Sequence, residues 1–67
     1  MTHATVRAAN LPDIVHLIAQ KYNLSEFDAL DSFYKSGTGA SYADDSTGLY
    51  GQSALFVFSL YVNEKAQ

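Results

Sequence analysis

The stretch at residues 53–62, SALFVFSLYV, decides most of what this chain can become. After Ser53, the residues Ala54, Leu55, Phe56, Val57, Phe58, Leu60, Tyr61 and Val62 leave Ser59 as the only polar interruption. Two secondary structures compete for it. Val57, Phe58, Tyr61 and Val62 suit a strand. A run of about a dozen residues suits a helix better. Helix is the reading adopted, with Ser53 as its N-cap and the polar NEKAQ fraying at its end. Such a helix is apolar on every side and has to be covered on every side. As a strand, LFVFSLYV would expose an aggregation-prone edge. Under either reading the segment needs more cover than two further short helices supply. The expectation is a homo-oligomer, most simply a twofold dimer with the last helix at the interface.

Those two further helices are visible in the periodicity. In NLPDIVHLIAQKYNLS, Asn10 reads as an N-cap, Pro12 fits a first turn, and Asp13 suits the positive helix end. Leu11, Ile14, Val15, Ile18 and Tyr22 share one face, with Asp13, His16 and Gln20 opposite. Residues 1–9 read as a tail or an extra turn. The next helix starts almost at once, at NLSEFDALDSFYKSG. Ser25 and Asp28 have capping-box spacing. Phe27, Leu30, Phe33 and Tyr34 form the expected core face, and Asp28, Asp31, Ser32 and Lys35 the wet one. Asp31 and Lys35 are a favourable i,i+4 pair. Gly37 is placed to end the helix in the left-handed conformation. The link between the two helices is so short that they must form a corner or hairpin.

Residues 37–52 read as a long connector holding all four glycines of the chain. The GTG at its start lacks the Lys-Ser/Thr of a phosphate loop and the third glycine of a dinucleotide fingerprint. Asp44 and Asp45 are adjacent, so in extended chain their carboxylates point apart. No glutamate follows at the spacing of a calcium loop. DSTG instead matches a type I turn over residues 45–48, with a weak surface cation at Asp44 and Asp45 as the lesser alternative. His16 lies three residues from Asp13, yet nothing nucleophilic or metal-ligating has motif spacing to it. No catalytic, cofactor or metal site is therefore expected. The tyrosines remain. Each buries a ring and keeps a hydroxyl that wants a partner, which suits core edges or an interface.

The totals narrow the function classes. A single small domain spans the 67 residues, and small domains usually need a staple or a partner. With no cysteine, disulfides and thiolate metal sites are excluded. The net charge is −3, and Arg7, Lys21, Lys35 and Lys65 do not cluster. That removes the basic footprint of nucleic-acid binding and of an anionic membrane surface. The longest apolar run, ALFVF, falls far short of the ~20 residues that a membrane span needs. A cytoplasmic protein with no nucleic-acid or membrane partner is the expectation. Glu26, Asp28 and Asp31 on the second helix also argue against a DNA-reading helix-turn-helix.

The combination LSEFDALDSFYKS and DSTGLYGQSALFVF resembles a family of short bacterial proteins. Its pattern falls on Leu24, Ser25, Ala29, Phe33, Tyr34, Ser36, Thr47, Gly48, Leu49, Tyr50, Gln52 and Ser53. Asp28 stands where that family often has Glu, and GTGAS lengthens the connector. The resemblance implies a small helical bacterial protein whose TGLYGQS segment is ordered; it implies no activity. The reading is then an all-α, three-helix domain with a long ordered connector, self-associating, and not an enzyme. The expected function is a small protein-protein interaction module whose surface is built from Tyr42, Leu49, Tyr50, Phe56, Phe58 and Tyr61. The alternative is an antitoxin-like or phage-related inhibitor, whose acidic, aromatic surface would suit a basic target.

Overall fold

The computed structural model describes residues 3–66, with side chains from Asn10 onward except that of Asp45. Four α-helices follow one another: α1 (His3–Tyr22), α2 (Glu26–Lys35), α3 (Gly37–Ala43) and α4 (Ala54–Lys65). Two 3-10 turns, Asp45–Thr47 and Leu49–Gly51, bridge α3 to α4. No strand occurs among the described residues. The last segment is thus a helix, and its cap is the expected one: Ser53 Oγ accepts from Phe56 N–H at 3.1 Å.

The helix count is the first correction. Part of the expected connector is itself a helix, α3. Ser36 makes this possible by serving two helices. Its Oγ donates to the Phe33 carbonyl at 2.6 Å, closing α2, and accepts from Gly39 N–H at 2.9 Å, opening α3. The backbone at Ser36 is extended (φ −86°, ψ 161°). Gly37 therefore does not end α2 in a left-handed turn; it is the first residue of α3. Among the described residues, the left-handed ones are Asn23 (φ 56°) and Gly48 (φ 69°). The tight turn also starts one residue early. Asp44, not Asp45, is its first residue: Thr47 N–H donates to Asp44 O at 3.2 Å, and Asp44 Oδ1 accepts from Ser46 N–H at 2.9 Å.

The second correction lies in α1, which begins about two turns before Asn10. The alanines of HATVRAAN favour helix and extend it. Asn10 is then inside the helix and caps nothing there. Its Nδ2 donates instead to the Gln52 carbonyl at 2.9 Å, tying α1 to the chain just before α4.

Around the core the order is α1, α2, α3, α4, each packed on the next and α4 closing on α1. Across the ring, α2 and α4 meet through aromatics: the Phe33 and Tyr61 rings lie 6.1 Å apart. The core holds Ile14, Val15, Ile18 and Ala19 of α1, Ala29 and Phe33 of α2, Tyr42 of α3, and Val57 and Tyr61 of α4. The α1 stripe is as its periodicity predicts. The α2 stripe is not: Phe33 is buried, but Phe27 is 79% and Tyr34 46% exposed. Burying Ala29 with Phe33 rotates the helix so that Phe27 and Tyr34 are left toward solvent. The single chain leaves α4 only partly covered, as expected of so few helices: Leu55 and Phe56 face outward.

Candidate functional site

The buried tyrosines are fitted rather than spare. Tyr61 reaches Ser32 with its hydroxyl, the two oxygens 2.6 Å apart. Its ring meets Tyr22 edge-on at 5.9 Å. Tyr42 packs edge-on against Phe33 at 5.5 Å. Tyr42 and Tyr61 are at most 1% exposed, which removes both from any surface of this chain. Their place in the expected interaction surface is corrected accordingly. Leu49, Tyr50 and Phe58 are half-buried against the core. Leu49 and Tyr50 form the 3-10 turn that leans on α1 and α3. Of the six expected surface residues, only Phe56 stands well out, at 47%.

A groove of about 630 Å3 lies between α3, the two 3-10 turns and α4. Glu64 dominates it. Its Oε1 accepts from Thr38 Oγ1 at 2.7 Å and from Thr38 N–H at 2.8 Å. Its Oε2 accepts from Gly37 N–H at 2.8 Å. The Thr38 hydroxyl first, then the two N–H groups, hold the carboxyl below its ordinary value. Elsewhere in the groove, Thr47 Oγ1 sits 2.6 Å from Ser41 O, 2.9 Å from Asp44 O and accepts from Leu49 N–H at 3.2 Å. These polar groups serve the fold: a carboxylate closes the N-terminus of α3, and a hydroxyl knots the turn. The expectation of a frayed NEKAQ missed this tie. Glu64 follows Val57 and Tyr61 at i+7 and i+3, which sets a charged residue on the buried stripe of α4. That position was the available signal.

The other polar candidates stay apart. His16 is exposed and lies 3.5 Å from Glu26 across the α1–α2 corner. Asp44 Oδ1 also accepts from Ser46 Oγ at 2.8 Å. No group of three metal-ligating side chains assembles among the described residues. No described helix is long and apolar enough to cross a membrane.

What the surface does offer is apolar. On α4, Leu55 is 66% exposed beside Phe56, and residues 53–63 contain no charge. On α2, Phe27 and Tyr34 stand out. Comparison with protein-family models, with curated proteins and with solved structures gives no match.

Proposed function

We propose that this chain is a small, non-catalytic interaction module that offers the outer face of α4 to a protein partner. One observation carries the reading. Leu55 and Phe56 are exposed in a stretch with no charge for eleven residues (53 through 63), on a helix whose opposite face is locked into the core. Large apolar side chains side by side on a charge-free surface mark a contact site. Leu49, Tyr50 and Phe58, half-buried next to the core, supply firm support rather than contact area. Aromatic anchors on a rigid support are what interface hot spots are made of.

A photo-crosslinking residue at Leu55, used in the native host, tests this. The expected result is one discrete adduct of higher mass, lost when Phe56→Asp is introduced into the same chain. Adducts that ignore Phe56→Asp, or none at all, would reject α4 as the docking face. Leu55 and Phe56 are exposed enough for circular dichroism to show an unchanged fold.

A further inference from the structure

The exposed side of α2 has an order that α4 lacks. Phe27, Leu30 and Tyr34 follow one another at i, i+3 and i+7, forming a single ridge. A groove of about 280 Å3 runs along one flank, between Phe27 and Leu30 of α2 and Leu11, Pro12 and Val15 of α1. A second, of about 200 Å3, lies along Phe27, Leu30, Asp31 and Tyr34. A ridge flanked by grooves is the surface with which helices interlock. Charges bracket it, Glu26 just before Phe27 and Lys35 just after Tyr34. Along this side of EFDALDSFYK the order is Glu26, Phe27, Leu30 with Asp31 beside it, Tyr34 and Lys35. Read from either end, aromatic falls on aromatic and acid on base.

We infer that this ridge is the contact face of a twofold dimer, with α2 antiparallel to α2 of a second copy. An axis passing between Leu30 and Asp31 sets Phe27 opposite the partner's Tyr34. The same axis sets Glu26 opposite the partner's Lys35, and the symmetry makes each pair twice. Parallel pairing would instead place Glu26 on Glu26 and Lys35 on Lys35. The charged ends are exposed and engaged only by exposed neighbours, Lys35 by Asp31 and Glu26 by His16. Lys35 is held 2.8 Å from Asp31 with its side chain 74% exposed, and the Glu26 side chain is equally exposed. The two Asp31 side chains approach near the axis, each already paired with its own Lys35. Self-complementarity of shape and charge in one helix selects a second copy as the occupant.

The contact is small. A ten-residue helix is about 15 Å long, and stable interfaces bury about 800 Å2 on each partner. The dimer is therefore weak and concentration-dependent. It uses a different helix from the α4 face and shares no residue with it, so neither reading depends on the other.

Sedimentation equilibrium of the full chain, from micromolar to millimolar concentration, is the test. Wild type is expected to dimerise. Phe27→Asp should raise the dissociation constant by about tenfold or more, as should Glu26→Lys or Lys35→Glu alone, each a loss of about 1.4 kcal/mol. The double variant Glu26→Lys/Lys35→Glu restores opposite charges across the axis and should recover most of the affinity. Leu55→Asp should leave dimerisation unchanged. A monomer throughout the range overturns the proposal. So does a dimer indifferent to Phe27→Asp, a dimer broken by Leu55→Asp, or a double variant no better than its singles. All four positions are exposed, and melting curves recorded in parallel separate lost association from lost fold.

Discussion

Two corners of this chain use the same chemistry in different settings. At the corner between α1 and α2, Asn23 turns left-handed, Leu24 N–H donates back to Ala19 O at 2.9 Å, and Ser25 caps α2 by accepting from Asp28 N–H at 3.1 Å. That is a Schellman stop followed by a serine start, complete within ten residues and exposed to water. At the corner between α2 and α3, Ser36 also caps a helix, but it is only 6% exposed. There the chain turns against itself so closely that Gly39 lies on the Phe33 carbonyl, and Glu64 arrives from α4 to close the new helix. Water can replace a lost bond at the first corner. At the second it cannot, and the energetic consequences should separate accordingly.

Gly39→Ala should break the comparison most severely. A Cβ there would fall 1.8 Å from Phe33 O and 2.7 Å from Phe33 C, both backbone atoms that cannot step aside. Alanine gains ~1 kcal/mol of helix propensity over glycine, far too little to offset a clash that forces α2 and α3 apart. A loss of about 3 kcal/mol or more is expected. For 67 residues, total stability is roughly 3–10 kcal/mol, so thermal unfolding should drop by more than ten degrees or the chain should fail to fold. A melting point within a few degrees of wild type would mean that the corner is looser than drawn.

Ser36→Ala comes next. It removes both hydrogen bonds of one hydroxyl and leaves Gly39 N–H without that acceptor in a buried site, at a cost of about 2 kcal/mol. Ser25→Ala, the exposed counterpart, should cost about 1 kcal/mol. Equal losses in chemical denaturation would deny that burial distinguishes the corners.

The same contrast explains what was legible in the sequence. Ser25 and Ser53 were readable as caps because a cap is a local pattern, and α1's stripe was readable because Ile14, Val15 and Ile18 repeat at helical spacing. Ser36 and α3 were not. GTGASYA has weak helix propensity and two glycines, and local rules make Gly37 a stop. What turns it into a helix is distant: Tyr42 against Phe33, and Glu64 on the N–H groups of Gly37 and Thr38. Leu49 and Tyr50 were recognisable as anchors, but not that Asn10 Nδ2 also lies 3.4 Å from Tyr50 O. The α2 face was misread for a related reason. Phe27 and Tyr34 carry rings as large as that of Phe33, and periodicity alone could not show which of two overlapping stripes would be buried.

The Glu64 tie gives the second corner a pH dependence. Its hydrogen bonds hold the folded carboxyl below the usual value near 4.5. A group depressed in the folded state stabilises above its unfolded pKa, and that contribution is lost as pH falls through the folded pKa. Wild type should therefore lose melting temperature as pH is lowered from about 5 through the acid range. Glu64→Gln should melt lower than wild type at neutral pH and show a shallower acid decline, because a neutral amide offers α3 a weaker acceptor. Parallel acid curves for the two proteins would remove Glu64 from the account.

The smallest effect belongs to the exposed corner. Asn23 sits at φ 56°, where glycine is unstrained and asparagine is the best tolerated of the rest. Asn23→Gly relieves that strain but frees the unfolded chain, and the two nearly cancel. A change within ~0.5 kcal/mol is expected, against ~1 kcal/mol lost for Asn23→Ala, which keeps a Cβ in the left-handed conformation without asparagine's tolerance for it. If glycine proved as costly as alanine, the Asn23 side chain rather than its backbone angle would be holding the corner. The first corner would then depend, like the second, on a contact that local rules do not reveal.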